Sequence, residues 1–219
     1  MDLIKVAVIA GTPVDTMMGA DFLKEKGMDA VCFPISENPI KQTEFQVSSD
    51  YEKERVIKEI IDKARRDGID RILVFCNSLS GSMDMDKISK EENIPIITPM
   101  NVYREIAKDH KKLGVIAANS QGLSGIEKAL VGSNPECIVL GVGMLPLVLD
   151  VESKKNPVDI IKDNGLEMVM ELFKINNAER VILGCTHFPY FGHELAKHTD
   201  IEIIDPSEEM YRMLCECVK

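Results

Sequence analysis

Two cysteines differ from the rest of this 219-residue chain in their context. Cys76 ends the apolar run "RILVFCNS" (Arg71 to Ser78), and Cys185, 109 residues later, ends "RVILGCTH" (Arg180 to His187). In both, a hydrophobic stretch stops at a thiol followed by a small polar residue. A free thiol titrates near ~8.5 and its pKa is readily moved, so a thiolate–thiol pair can be poised near neutral pH. Such a pair suits a reaction that takes a proton from one face of a carbon and returns one to the other. One group is then the base and the other the acid, and reversal exchanges their roles. A redox pair would call for C-x-x-C or a nearby resolving cysteine, which neither stretch offers. A cysteine hydrolase would need one Cys with His and Asp or Asn, and would leave the second copy unexplained. A cysteine closing a buried strand is also often a plain core residue.

The other four cysteines suggest no disulfide scaffold in a chain of this length. Cys32 in "AVCF" and Cys137 in "ECIVLGV" sit in strand-like runs and are expected in the core. Cys215 and Cys217 form a C-x-C on a predicted helix, two ligands too few to close a zinc shell. No metal site is expected there.

The elements that must position the two thiols repeat. "VIKEIIDKARRDGIDRILVFCNS" (Val56 to Ser78) lies over "GLEMVMELFKINNAERVILGCTH" (Gly165 to His187) without a gap. Ile57, Ile60 and Ile61 fall over Leu166, Val169 and Met170, and in the first copy they extend a helical apolar stripe from Val56 to Ala64. Gly68 and its mate Asn177 are both residues that tolerate the left-handed conformation ending a helix. At an offset of 107, "KVAVIA" (Lys5 to Ala10) lies over "KLGVIA" (Lys112 to Ala117), and "IPIITPM" (Ile94 to Met100) over "IEIIDPS" (Ile201 to Ser207). Three collinear matched segments argue for an internal duplication. Both copies keep the cysteine, whereas Phe75 and Gly184 just before it differ.

The strands are continuous apolar runs alternating with helical patterns such as Asp50 to Arg66 and Asp84 to Glu92, the mark of parallel sheets covered on both faces. The fold class is therefore α/β, with two pseudo-symmetric lobes, each a parallel sheet flanked by helices. The expected boundaries are 1–97 plus 205–219 for the first lobe and 98–204 for the second. The C-terminal helix, about Ser207 to Val218, is expected against the first. Sites in such sheets form at the carboxyl ends of strands, where Cys76 and Cys185 stand. A pseudo-twofold would turn the two thiols toward one cleft, and helix N-termini there would suit a carboxylate and depress a thiol pKa.

With 36 acidic and 26 basic side chains the net charge is −10, and no basic stripe suggests nucleic acid. No apolar stretch approaches the ~20 residues of a membrane span, and the start "MDLIKVAVIAG" is not expected to be a signal peptide, its "IKVAVIAG" reading better as a first buried strand. The cytoplasm is the expected location.

These residues resemble a known family. "GCTHFPY" (Gly184 to Tyr190) is similar to the G-C-T-H-[YF]-P signature of the aspartate/glutamate racemase superfamily, and "CNS" (Cys76 to Ser78) to its C-N-T. "LGVIAANSQGLSG" (Leu113 to Gly125) resembles its second-lobe strand and loop, and "IIDPSEE" (Ile203 to Glu209) its return segment. The resemblance implies an isomerase: a cofactor-independent, commonly dimeric amino-acid racemase with Cys76 and Cys185 as its two acid/base residues. It also implies that Asn77, Ser78 and Thr186 bind the α-carboxylate and amino group of a small-molecule amino-acid substrate, and that His187 assists Cys185. Where glutamate racemases carry D-S-G this chain has "AGTPVDTMMG" (Ala10 to Gly19), nearer the G-G-M-G-P-x-A-T of aspartate racemases. Thr12 there, and its repeat mate Asn119, are expected substrate contacts. "SENPIKQTEFQ" (Ser36 to Gln46) would be a loop reading the substrate side chain, with Lys41 or Arg104 adding positive field. Hydantoin racemisation, maleate isomerisation and malonate decarboxylation are competing reactions within the superfamily. A two-lobed protein that binds a small molecule without catalysis is the competing class.

Overall fold

The computed structural model describes residues 4–217; Met1 to Leu3 and Lys219 of the expected first lobe, and Val218 of the last predicted helix, lie outside that range. The chain divides into two compact units. One runs to Pro99 and takes up the chain from Ser207, and the other is Met100–Pro206.

In the first unit β1 (Lys5–Ala10), β2 (Asp29–Pro34), β3 (Ile72–Val74) and β4 (Ile96–Ile97) form a parallel sheet in the order β2-β1-β3-β4. Around it lie α1 (Pro13–Glu25), α2 (Pro39–Gln46), α3 (Asp50–Arg66), the short α4 (Asn77–Gly81) and α5 (Met85–Glu92). The chain then enters α6 (Pro99–Ile106). The second unit repeats the sheet with β5 (Lys112–Ala117), β6 (Ile138–Gly143), β7 (Arg180–Gly184) and β8 (Glu202–Ile204) in the order β6-β5-β7-β8, again all parallel. Its further helices are α7 (Ser120–Ser133), α8 (Leu145–Glu152), α9 (Pro157–Asp163), α10 (Leu166–Ile175) and α11 (Pro189–Leu195). Last comes α12 (Ser207–Glu216), whose Met210 and Leu214 are fully buried in the first unit.

The central strands follow from their sequence. β1 and β5 are buried at every position after the first, because each is flanked by strands on both sides and helices on both faces. α3 buries Ile57, Ile60, Ile61 and Ala64 along one stripe, each large side chain contributing roughly 1.5–3 kcal/mol. Ser49 caps its first turn by accepting from the Glu52 N–H. After each repeated helix the chain turns left-handed, with φ of 72° at Gly68 and 57° at Asn177.

Three features depart from expectation. The segment expected as a loop from Ser36 holds α2, because the Asn38 side chain accepts from the Lys41 N–H and Pro39 supplies a preset first helical residue. Cys32 is exposed rather than in the core, because β2 is an edge strand with one side unpaired. The continuous α3 corresponds in the second unit to two helices, α9 and α10. Gly165, with φ of 65°, stands where Val56 continues the helix in the first copy. Among the described residues no helix is long and apolar enough to cross a membrane.

Candidate active site

In the first unit, the pairing of Ile9 with Val74 sets the ends of β1 and β3 side by side, so Gly11, Thr12 and Cys76 emerge at the same sheet edge. Cys76 has extended backbone and occupies the position just before α4. Its sulfur receives the Gln42 Nε2 amide at 3.0 Å and lies 3.6 Å from Ser78 Oγ. Ser78 Oγ accepts from Gln46 Nε2 at 2.7 Å and from Gln42 Nε2 at 3.3 Å. The two glutamines stand one helical turn apart on α2, so both amides project from one face. Glycine at position 11 makes this possible, since a methyl there would overlap the Gln42 amide outright. The start of α1 is closed by Asp15, whose carboxylate accepts from the Thr12 N–H at 2.6 Å, Thr12 Oγ1 at 2.9 Å and the Gly11 N–H at 3.1 Å. Asn77 and Ser78 are both buried beside the thiol.

In the second unit the Ala117–Gly184 pairing brings Ala118, Asn119 and Cys185 to one edge. Cys185 Sγ lies 3.5 Å from His187 Nδ1, and His187 Nε2 lies 3.2 Å from Glu152 Oε1. A carboxylate only accepts, so a hydrogen on Nε2 points to Glu152; in the neutral imidazole Nδ1 is then an acceptor facing the sulfur, and in the imidazolium a donor. Both Cys185 and His187 are buried, with Thr186 between them. Tyr103 on α6 is fully buried nearby; burial, then the charges of Asp205 and Cys185, holds its phenol well above the ordinary value. Asn119 caps α7 by accepting from the Gly122 N–H at 2.8 Å, as Thr12 caps α1.

The two sites share one plan and differ in chemistry. Ser78 and His187 each stand two residues after a cysteine. Gln46 and Glu152 are each the last residue of the helix that follows the unit's second strand. In the first unit the relay runs from amide to hydroxyl to sulfur. In the second it joins carboxylate, imidazole and sulfur.

No family model matches the chain. It is 29% identical over 150 residues to a glutamate racemase of Limosilactobacillus reuteri, covering 66% of the chain and 55% of that relative. It is 27% identical over 157 residues to the glutamate racemase of Aquifex pyrophilus, covering 69% and 60%. The chain thus spans little more than half the length of the curated relatives it matches. Among solved structures, glutamate racemase from Francisella tularensis in complex with D-glutamate superposes with a TM-score of 0.75 at 20% identity, over 99% of this chain and 81% of that one. An aspartate racemase homologue from Pyrococcus horikoshii gives 0.73 at 16% identity, over 98% of both. In sequence and in fold the chain is thus similar to members of the aspartate/glutamate racemase superfamily.

Within each unit the structure gathers the residues that this superfamily's motifs single out. Cys76, Asn77 and Ser78 come together with Thr12 on the neighbouring strand end, and Cys185, Thr186 and His187 with Asn119. Lys41 is exposed and paired with Glu44 at 2.8 Å, a solvated surface charge. Four residues escaped the reading by motif: Gln42, Gln46, Glu152 and Tyr103. Only the glutamines left a trace, their spacing of four within "QTEFQ". Glu152 ends a helix with no signature of its own. Among the described residues no cluster of three or more His, Cys, Asp and Glu side chains could hold a metal ion.

Proposed function

We propose that the chain is a cofactor-independent amino-acid racemase acting on aspartate, glutamate or a related α-amino acid, with Cys76 and Cys185 as its two acid/base groups. One observation carries this reading. Each cysteine ends the third strand of its own sheet, at the same step of the same duplicated plan, and each has a polar partner two residues on.

In the proposed reaction one cysteine thiolate removes the α-proton, leaving the electron pair on the carbon and delocalised into the α-carboxylate. The other cysteine delivers its thiol proton to the opposite face. The first is then a thiol and the second a thiolate, and the reverse reaction resets them. The α-C–H is a far weaker acid than a thiol, so donors must stabilise the enolate-like charge. Asn77, Ser78, Thr186, Thr12 and Asn119 are proposed to hold the α-carboxylate and amino group. His187 is proposed to move the proton of Cys185, its tautomer fixed by Glu152. The proposal extends to a cytoplasmic homodimer.

The test is α-proton exchange in D₂O across a panel of α-amino acids. Exchange with at least one acidic amino acid, accompanied by formation of its mirror image, is the expected result. Absence of exchange with every member would contradict the reading.

A further inference from the structure

Two-thiol racemisation needs one sulfur charged and the other protonated before substrate arrives, and the two units surround their sulfurs differently. At Cys76 the Gln42 amide donates to the sulfur, and Ser78 Oγ lies 3.6 Å from it. Gln46 Nε2 can only donate, so in its 2.7 Å contact Ser78 Oγ is the acceptor. The hydroxyl proton of Ser78 is thereby free to turn toward Cys76 Sγ at 3.6 Å, while the Gln42 amide donates to the same sulfur at 3.0 Å. Two donors converge on one buried sulfur, an arrangement that favours its charged form. At Cys185 the polarity is reversed. In the neutral imidazole, with its hydrogen drawn to Nε2 by Glu152, the Nδ1 lone pair faces the sulfur as an acceptor for a hydrogen bond from S–H, the proton staying on sulfur.

We infer that Gln42 and Ser78, with Gln46 behind them, hold Cys76 as the thiolate of the resting site, and that Cys185 is its thiol. This rests on the two-thiol reading above and assigns the starting proton within it. The proton of Cys76 passes to solvent. The ionisable groups around Cys76 oppose the arrangement little. α2 contributes the neutral glutamines, while its Lys41 and Glu44 are exposed and neutralise each other. On the β1–α1 turn the Asp15 carboxylate is covered by the Gly11 and Thr12 donors. From α3, Lys53 reaches the far end of α4, donating to the Ser82 carbonyl at 2.6 Å. Gln42 is a positioning residue here, acting on substrate through the sulfur it holds. Gly11 belongs to the same device, since only a residue without a side chain leaves the amide its place.

The test is a pH titration of the protein carrying ¹³Cβ-labelled cysteine, followed by NMR. The chemical shift reports each thiol's protonation without any reagent having to enter the site. The six cysteine signals are assigned with single Cys→Ser variants. In the wild type, Cys76 is expected to titrate clearly below the ordinary ~8.5 and below Cys185. Gln42→Met is expected to raise the Cys76 midpoint by about one unit, a tenfold loss of thiolate at lower pH, while the Cys185 curve stays in place. Gly11→Ala is expected to act in the same direction, because its methyl would overlap the Gln42 amide and displace it. A wild-type Cys76 that titrates at or above Cys185 would overturn the inference, and that result needs no variant to fold. So would a Cys76 midpoint unmoved in both variants, or both cysteines moving together. Failure of the racemase reading looks different: the wild type exchanges no α-proton, and these titrations remain readable.

Discussion

The Glu152 carboxylate accepts from His187 Nε2, and in the neutral imidazole that leaves Nδ1 as an acceptor toward Cys185. Glu152→Gln substitutes an amide that no longer specifies the tautomer. Racemisation is expected to fall about 10–100-fold, in kcat rather than KM, with thermal stability little changed. Steady-state kinetics in both directions check this, and an unchanged kcat would contradict it. At this scale the sequence spoke through repetition. Cys76, Ser78, Cys185 and His187 were legible because each pair recurs at one fixed offset beside a strand end. Gln42, Gln46 and Glu152 act through side chains reaching in from helices distant in sequence, by 34, 32 and 35 residues from their partners. No local pattern encodes such a contact. The predicted role of Ser36 to Gln46 as a loop hid the two glutamines, since only a helix places residues four apart on one face.

The helices and turns were read from two kinds of signal, and the structure separates them. Periodicity placed α3 at Asp50–Arg66 as predicted, because its stripe of Ile57, Ile60, Ile61 and Ala64 has one solution. Capping chemistry was the weaker guide: Asn38 and Pro39 start α2, yet few apolar residues follow them to make a stripe. Gly165 shows the other limit. One left-handed residue divides the second copy of the long helix where the alignment with the first runs without a gap. The stop at Asn177 is open to a direct test. Asn177→Gly is expected to leave stability unchanged or raise it slightly, whereas Asn177→Val, forcing a β-branched residue to positive φ, is expected to cost about 1–2 kcal/mol. Urea unfolding of the two variants measures the difference, and equal stabilities would contradict the assignment of that turn. Ile61→Ala, at a fully buried position on α3, is expected to cost about 2–5 kcal/mol in the same assay.

Over the whole molecule, one α/β plan appears twice, with the same strand order and the same step leading to a cysteine. The duplication was visible because parallel strands flanked by helices are apolar throughout and differ little between copies. The edge strands β2 and β6 fell outside the matched segments, whereas the opposite edges β4 and β8 lie within them, and Cys32 is exposed on β2. The last helix ties the end of the chain to its beginning. Met210 and Leu214 of α12 are fully buried, each worth roughly 1.5–3 kcal/mol, and Arg71 beside β3 donates to the Leu214 carbonyl at 3.4 Å. Removing the chain from Ser207 onward is expected to speed amide hydrogen exchange in β1, β3 and β4 while β5 and β7 keep their protection; uniform loss in both sheets would contradict that division. The central claim, two thiols sharing one racemisation, has its most direct test in Cys76→Ala and Cys185→Ala, assayed for racemisation of the amino acid the wild type turns over. Each single substitution is predicted to abolish it, since either face of the α-carbon then lacks its proton carrier. Racemisation retained in either variant would contradict the account.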